Sequence, residues 1–276
     1  MNFHFRRSYC GPLQAVLFDW AGTTVDYGCF SPTAPFIRVF AAHGVTVTIE
    51  QARGPMGLMK RDHIRALTQL PEVAAQWQAV HGRPPAEADI EAMFAEFVPL
   101  QVAVLADYAA PIPGVVETVA ELRRRGLKIG STTGYTREMM EVLAPEAARR
   151  GYAPDAWVCS TDVPAGRPYP WMAFQNAMRL NVYPMEAMVK IGDTVPDIEE
   201  GLNAGMWTVG VALTGNELGL TEAEVAALSP EARRRRLTPI YQKLYQAGAH
   251  YVVDSVADCL PVLDEIEKRL ASGERP

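Results

Sequence analysis

Short continuous apolar runs, each bounded by turn residues, punctuate the chain. They are AVLFD (15–19), LKIGSTT (127–133), AWVCS (156–160), AMVKIGD (187–193) and WTVGVA (207–212), with HYVVD (250–254) as a weaker sixth. Runs of this length and composition read as strands buried on both faces. Between them, apolar residues recur at helical spacing over 114–125, 136–150, 170–180, 196–204, 221–247 (broken near Pro230) and 255–271. Alternating strand and helix with unbroken apolar strands predicts an α/β fold, a doubly wound Rossmann-like parallel sheet.

One interval breaks the alternation. A single helix suffices to cross from one parallel strand to the next, yet roughly residues 27–108 intervene between the first two predicted strands in addition to the helical stretch 114–125. This stretch is rich in helical pattern (PTAPFIRVFAAHG, LMKRDHIRALTQL, PEVAAQWQAVHG, EADIEAMFAEFVPLQVAVLADY) and poor in strand pattern. It reads as an inserted α-helical cap domain over 28–108, with 1–27 and 109–276 forming the core. Glycine and proline mark its edges at Gly28 to Pro32 and Pro111 to Gly114.

Composition narrows the class. A chain of 276 residues, 49% hydrophobic and 21% charged, can bury a real core. A net charge of −6 argues against nucleic acid or an anionic membrane as partner. The arginine runs 123–125 and 233–236 sit beside glutamates in helical contexts and read as solvated faces. Cys10, Cys29, Cys159 and Cys259 are scattered, without the spacing of a zinc site or a disulfide framework. No apolar stretch approaches the ~20 residues of a membrane span, and MNFHFRRSYCGPLQ lacks the apolar region of a secretory signal. A reducing, cytoplasmic setting is the expectation.

Ligands of an open parallel sheet bind beyond the carboxyl ends of its strands. The first strand delivers Asp19, Ala21, Gly22, Thr23 and Thr24 there, and the second Thr132, Thr133, Gly134 and Tyr135 at the start of a helix. The third leads to Arg167 in a proline-stiffened loop, and the fourth to Asp193 and Asp197. The set holds a nucleophile candidate, hydroxyl and amide donors, one cation and further carboxylates. A hard cation such as Mg²⁺ takes one or two carboxylates plus substrate phosphate, which Asp19 and Asp193 would supply. Arg167 would neutralise a phosphoryl oxygen and Thr133 would donate to another. Taken singly, each has a plainer reading: turn aspartate, helix cap, turn threonine, surface arginine. Four strand ends in order, each presenting a complementary piece, favour a phosphoryl-transfer site.

DWAGTTVD, STTGY, GRPYP and GDTVPD resemble the four ordered motifs of the haloacid dehalogenase superfamily, with the insertion in its usual first cap position. The resemblance implies Asp19 as a nucleophile that forms an aspartyl-phosphate with Mg²⁺ bound. In the superfamily's phosphatases the residue two after the nucleophile is an acid/base aspartate. Here it is Ala21, which leaves an alkoxide leaving group without a proton donor.

The cap offers a replacement. Of the chain's lysines only Lys60 belongs to it; Lys128 and Lys190 read as lying near strand starts, far from the site, and Lys243 and Lys268 fall on C-terminal helices. With a helix starting near Leu58 or Met59, Lys60, His63, Ile64 and Leu67 share one face. Burial, the helix dipole and the nearby Arg61 and His63 would lower the lysine pKa, and a neutral amine forms imines with carbonyls. The plainer alternative is a lysine that snorkels past an apolar stripe to water. A substrate with an aldehyde next to a carbon–phosphorus bond unites both observations. A protonated imine on Lys60 accepts the bonding electrons when Asp19 attacks phosphorus, so no acid is needed.

FDWAGTTVDYG, GPMGLMKRDHIRAL, GSTTGYTREMM and GRPYPWM resemble the phosphonoacetaldehyde hydrolase family. That resemblance implies hydrolysis of phosphonoacetaldehyde, with Lys60 as Schiff-base residue and Asp19, Asp193 and the Ala21 carbonyl as Mg²⁺ ligands. It adds Met56, Gly57, His63, Thr133, Gly134, Tyr135, Arg167 and Asp197 as site or supporting residues, places Cys29 near the lysine, and implies a homodimer through the cap. Two alternatives stand beside it: a phosphatase or phosphomutase of the superfamily, disfavoured by Ala21, and a ligand-binding member without catalysis, disfavoured by the retained nucleophile.

Overall fold

The computed structural model describes residues 8–276. Strands β1 (Ala15–Phe18), β2 (Lys128–Thr133), β3 (Ala156–Cys159), β4 (Met188–Gly192), β5 (Trp207–Val211) and β6 (Tyr251–Val253) coincide with the six apolar runs, each trimmed at its ends. The trimmed residues include Asp19 and Asp193, which leave the ladder to serve the loops beyond it. All pairings are parallel, in the order β3-β2-β1-β4-β5-β6.

Alternate residues of β1 enter different cores, as the two-residue period of a strand requires. Val16 and Phe18 pack with Val119 and Leu122 of α6 (Val115–Arg124), Met140 and Leu143 of α7 (Arg137–Arg149) and Leu263 and Ile266 of the C-terminal helix Leu260–Ala271. Ala15 and Leu17 face the other way, onto Ala173, Ala177 and Leu180 of α8 (Trp171–Leu180). With apolar residues demanded on both faces, no residue of β1 is exposed.

Successive strands run outward from β1 to β3, and the chain then crosses to β4 on the other side of β1. The connections leaving β1 and β4 therefore diverge and open a crevice at their carboxyl ends, the place where doubly wound sheets bind ligands. Over that crevice the chain between β1 and β2 builds α1 (Thr33–Ala42), α2 (Ile49–Arg53), α3 (Lys60–Thr68), α4 (Pro71–His81) and α5 (Glu87–Leu105). Their shared core includes Phe36, Phe40, Ile64, Leu67, Trp77, Met93 and Phe97. The two crossings between sheet and insertion lie side by side: Ile112 N–H donates to the Thr24 carbonyl at 2.9 Å, and Val25 bridges Pro111. Gly28 and Gly114 both take φ of +84°, a conformation open to glycine at little cost. Beyond β4 lies α9 (Val195–Asn203), and α10 (Glu222–Ala226) and α11 (Pro230–Gln246) divide at Pro230 as the sequence pattern predicts; the Leu260–Ala271 helix is α12.

Candidate active site

Asp19 follows directly on β1, and its backbone N–H still donates to Ile191 of β4 at 2.9 Å. The chain then doubles back, with the Trp20 carbonyl accepting from the N–H groups of Thr23, Thr24 and Val25. The Trp20 indole anchors this turn by donating to Ser131 Oγ at 2.7 Å. Gly22 sits at φ +84°, so close to Asp193 that a Cβ would overlap its carboxylate, and Gly215 crowds the same side chain. Within this glycine cradle Asp193 accepts from Thr23 Oγ1 at 2.8 Å and from Asn216 N–H at 2.7 Å.

Arg167 reaches in from the loop after β3 and spends its donors on several acceptors. Nη2 donates to Asp19 Oδ1 at 2.7 Å and to the carbonyl and hydroxyl of Thr132 at 2.8 and 2.9 Å. Nε donates to Glu200 Oε2 at 3.0 Å, while Nη1 lies 3.0 Å from Asp197 Oδ1 and 3.4 Å from the Gly57 carbonyl of the insertion. Burial alone would destabilise the guanidinium, but Asp19, Asp197 and Glu200 more than offset that and hold it charged.

Lys190 corrects the sequence-based expectation. It lies at mid-strand in β4, fully buried, and its Nζ donates to Thr132 Oγ1 at 2.9 Å and Asp197 Oδ1 at 2.7 Å, beside Glu200 at 3.4 Å. Lys128, by contrast, does begin β2, with an exposed residue at that position. The signal missed was the charge inside the apolar run AMVKIGD. A lysine in a strand buried on both faces needs a buried anion, and Asp197 and Glu200 are the carboxylates within its reach. Glu200 and Asn216 likewise escaped notice, because their roles depend on contacts between distant elements; Thr132 stands at the strand end where the sequence places it, bonded to Arg167, Glu200 and Lys190.

The carboxylates of Asp19, Asp193 and Asp197 offer oxygens all within 4.8 Å of one another. Burial pushes the Asp19 and Asp193 pKa values up, and mutual repulsion adds to the effect, most strongly at Asp193. Asp197 instead titrates low despite burial, because Arg167 and Lys190 face it. Oxygen donors crowded without enough positive charge fit a hard divalent cation. Asp19 and Asp193 suit that role, whereas Asp197 is already committed to the two cations and to Thr194.

Facing the carboxylates is the amine. The loop before α3 turns at Gly57 (φ +94°), and α3 opens with Lys60, capped by extended Met59. Lys60, His63, Ile64 and Leu67 are all buried, so the shared stripe faces inward. The Lys60 ammonium lies 4.8 Å from the centre of the Tyr135 ring, whose hydroxyl pairs with Ser31 Oγ at 2.8 Å. Burial brings its pKa down to about 8; the Arg167 charge adds to this, while the Asp19 and Asp26 carboxylates oppose it. Arg167, from the loop after β3, thus supplies the like charge that sequence spacing assigned to Arg61 and His63. His63 is held neutral by burial and by Lys60; its Nε2 meets the Ala52 carbonyl at 2.9 Å, and the ring stacks on Phe36.

Asp19, Ala21, Cys29, Met56, Gly57, Lys60, Thr133, Gly134, Tyr135 and Arg167 line one cavity of about 20 Å³, together with Leu58 and Thr194. That is room for about one water molecule. Gly22, His63, Asp193 and Asp197 stand behind this lining. Burial keeps the Cys29 thiol and the Tyr135 phenol well above their usual pKa values, hence neutral. The carboxylate of Asp19, the guanidinium of Arg167 and the amine of Lys60 are therefore gathered where sheet and insertion meet.

This combination of sheet, strand-end aspartates and inserted helices defines a phosphoryl-transfer hydrolase. The model of the haloacid dehalogenase-like hydrolases matches residues 13–205, and the chain belongs to that family. Within it the chain groups with the phosphonoacetaldehyde hydrolases. It is 55% identical to the phosphonoacetaldehyde hydrolase of Nitratidesulfovibrio vulgaris over 98% of this chain and 96% of that one. It is also 56% identical to a phosphonoacetaldehyde hydrolase-like protein of Syntrophobacter fumaroxidans over 99% of both chains. The crystal structure of a phosphonoacetaldehyde hydrolase-like protein from Oleispira antarctica superposes with a TM-score of 0.97 at 40% identity, covering 100% of both chains.

Proposed function

We propose that this chain hydrolyses the carbon–phosphorus bond of phosphonoacetaldehyde to acetaldehyde and phosphate, with α1 to α5 acting as a cap that opens to admit substrate and closes over it. The observation that carries the mechanism is the amine of Lys60, held near neutrality in the same cavity as Asp19, while the position two after Asp19 holds no acid.

The Lys60 amine adds to the aldehyde and expels water, leaving a protonated imine. The Asp19 carboxylate attacks phosphorus in line. The carbon–phosphorus bond breaks, and its electron pair flows into the iminium to give an enamine, so no leaving alkoxide requires a proton. Protonation of the enamine carbon and addition of water release acetaldehyde and free Lys60. A second water cleaves the aspartyl-phosphate, returning Asp19 and phosphate. Arg167 Nη2, already beside Asp19, neutralises charge on the phosphoryl oxygens, and Thr133 and Gly134 line the same cavity. Asp19, Asp193 and the Ala21 carbonyl would hold Mg²⁺, which supplies further neutralisation of the phosphonate when bound.

Borohydride reduction in the presence of phosphonoacetaldehyde should fix a covalent adduct on Lys60, located by peptide mass spectrometry. An adduct at another residue, or none, refutes the imine route. We further propose a homodimer through the cap and, for a chain whose cysteines are all free, a reducing cytoplasmic setting.

A further inference from the structure

Glu200 lies one turn after Asp197 on α9, fully buried and outside the cavity lining. Its Oε2 accepts from Thr132 Oγ1 at 2.8 Å and from Arg167 Nε at 3.0 Å, and lies 3.4 Å from Lys190 Nζ. Its Oε1 is buried without a hydrogen-bond partner. Burying a carboxylate with one oxygen unpaired is costly, and apolar replacements of buried ion pairs are often neutral or stabilising. Stability alone is therefore a weak reason for this residue.

Geometry supplies a better one. A guanidinium carries its donors in a rigid planar fork, so holding one edge fixes the direction of the others. Glu200 holds Nε and Asp197 faces Nη1, which leaves Nη2 directed at Asp19 Oδ1 and at the space where a phosphoryl oxygen would arrive. Thr132 completes the frame, since its hydroxyl donates to Glu200 while accepting from both Nη2 and Lys190. We propose that Glu200 is a positioning residue for phosphoryl transfer, acting through Arg167 by holding Nε, a donor that Arg167 does not present to the reaction. It touches no reacting atom. The proposal rests on the reading of Arg167 as the phosphoryl-oxygen donor.

Glu200→Gln keeps the volume and removes the charge. The expected result is ~10-fold weaker binding of inorganic phosphate by calorimetry and a kcat lower by up to ~10²-fold, the scale set by misplacing a reacting group by about 1 Å. Borohydride trapping of Lys60 should stay within about 2-fold of wild type, since Lys60 makes no hydrogen bond to this network and Arg167 keeps its charge in the variant; a merely structural defect would lower trapping and turnover together. The decisive comparison repeats the substitution in an Arg167→Lys background. Lysine has no Nε edge to be held, so Glu200→Gln should there cost little further phosphate affinity. Equal losses in both backgrounds, unchanged phosphate affinity in Glu200→Gln, or parallel loss of trapping and turnover each overturn the proposal. If Glu200→Gln does not fold, Glu200→Asp, too short to span Thr132 and Nε, takes its place in the same cycle. Phosphate binding is read without the aldehyde. A wild-type protein that binds phosphate but forms no Lys60 adduct therefore fails the imine mechanism alone, whereas one that binds no phosphate fails this proposal.

Discussion

At Lys60, burial holds the pKa at about 8 against an ordinary value of 10.5. Folding therefore strips a proton from this side chain between those two pH values. Below about pH 8 both folded and unfolded states are charged and the fold carries the whole cost of the buried ammonium; the cost is relieved as pH rises toward 10.5. One pK unit corresponds to about 1.4 kcal/mol, so the burden at pH 7 is of the order of a few kcal/mol. Lys60→Met is accordingly expected to raise unfolding stability at pH 7 by about 1–3 kcal/mol, measured in urea, while abolishing the borohydride adduct. The gain should shrink between pH 8 and 10.5; a gain that grows with pH over that range would contradict the assignment. For wild type, adduct formation should rise with pH and level off above about pH 8, as the neutral amine becomes the dominant form. The inward stripe was legible because helical spacing is local. The size of the shift was not, because Arg167, Asp19 and Cys29 approach Lys60 from other elements.

At the scale of elements, the insertion is tied down at the end of α2. Arg53 Nη1 donates to the Gly28 carbonyl at 2.8 Å and to the Asn216 backbone and side-chain oxygens, both at 3.2 Å. Asn216 returns a bond to the Arg53 carbonyl at 3.1 Å, and its own N–H holds Asp193. The insertion is thereby linked to the loop that orients a carboxylate of the site. Charge-assisted hydrogen bonds of this kind contribute about 1.5–3 kcal/mol. Arg53→Ala should therefore favour opening, raising KM and speeding labelling of the buried Cys29 thiol by ~10-fold or more, followed by thiol reagent and mass mapping. Labelling that does not change would show that Arg53 does not hold the insertion shut. A second contact to the same effect is Gly134, where a Cβ would meet the Leu58 carbonyl. Helix α2 itself left little trace in the sequence pattern: five residues are too few for a periodicity, and only the Thr48–Gln51 capping box marks its start. The longer helices of the insertion were legible from their apolar spacing.

For the whole molecule, association through the insertion is the outstanding expectation. Ile49 and Val80 leave apolar side chains 60% and 54% exposed on that part of the surface. Sedimentation of the intact protein should give a dimer, and Val80→Glu should shift it toward monomer if the contact lies on α4; a monomeric wild type would remove the expectation.

Two kinds of information meet at this site, and they divide by range. Strand runs, the aspartates that end them, Ala21 two places after Asp19, and the stripe carrying Lys60 all follow from residue order and the periods of helix and strand. Fold class and the chemistry on offer are therefore legible in the order of residues alone. It takes the folded chain to turn Lys190 into the site, to hold Arg167 by Glu200 at Nε and by Asp197 at Nη1, and to join Arg53 to Asp193 through Asn216. Those pairings depend on strand order and on how far buried side chains reach, which no local pattern encodes. A charge buried in one element is satisfied by another distant in sequence, as Arg167 is by Asp19, and folding alone brings the two together.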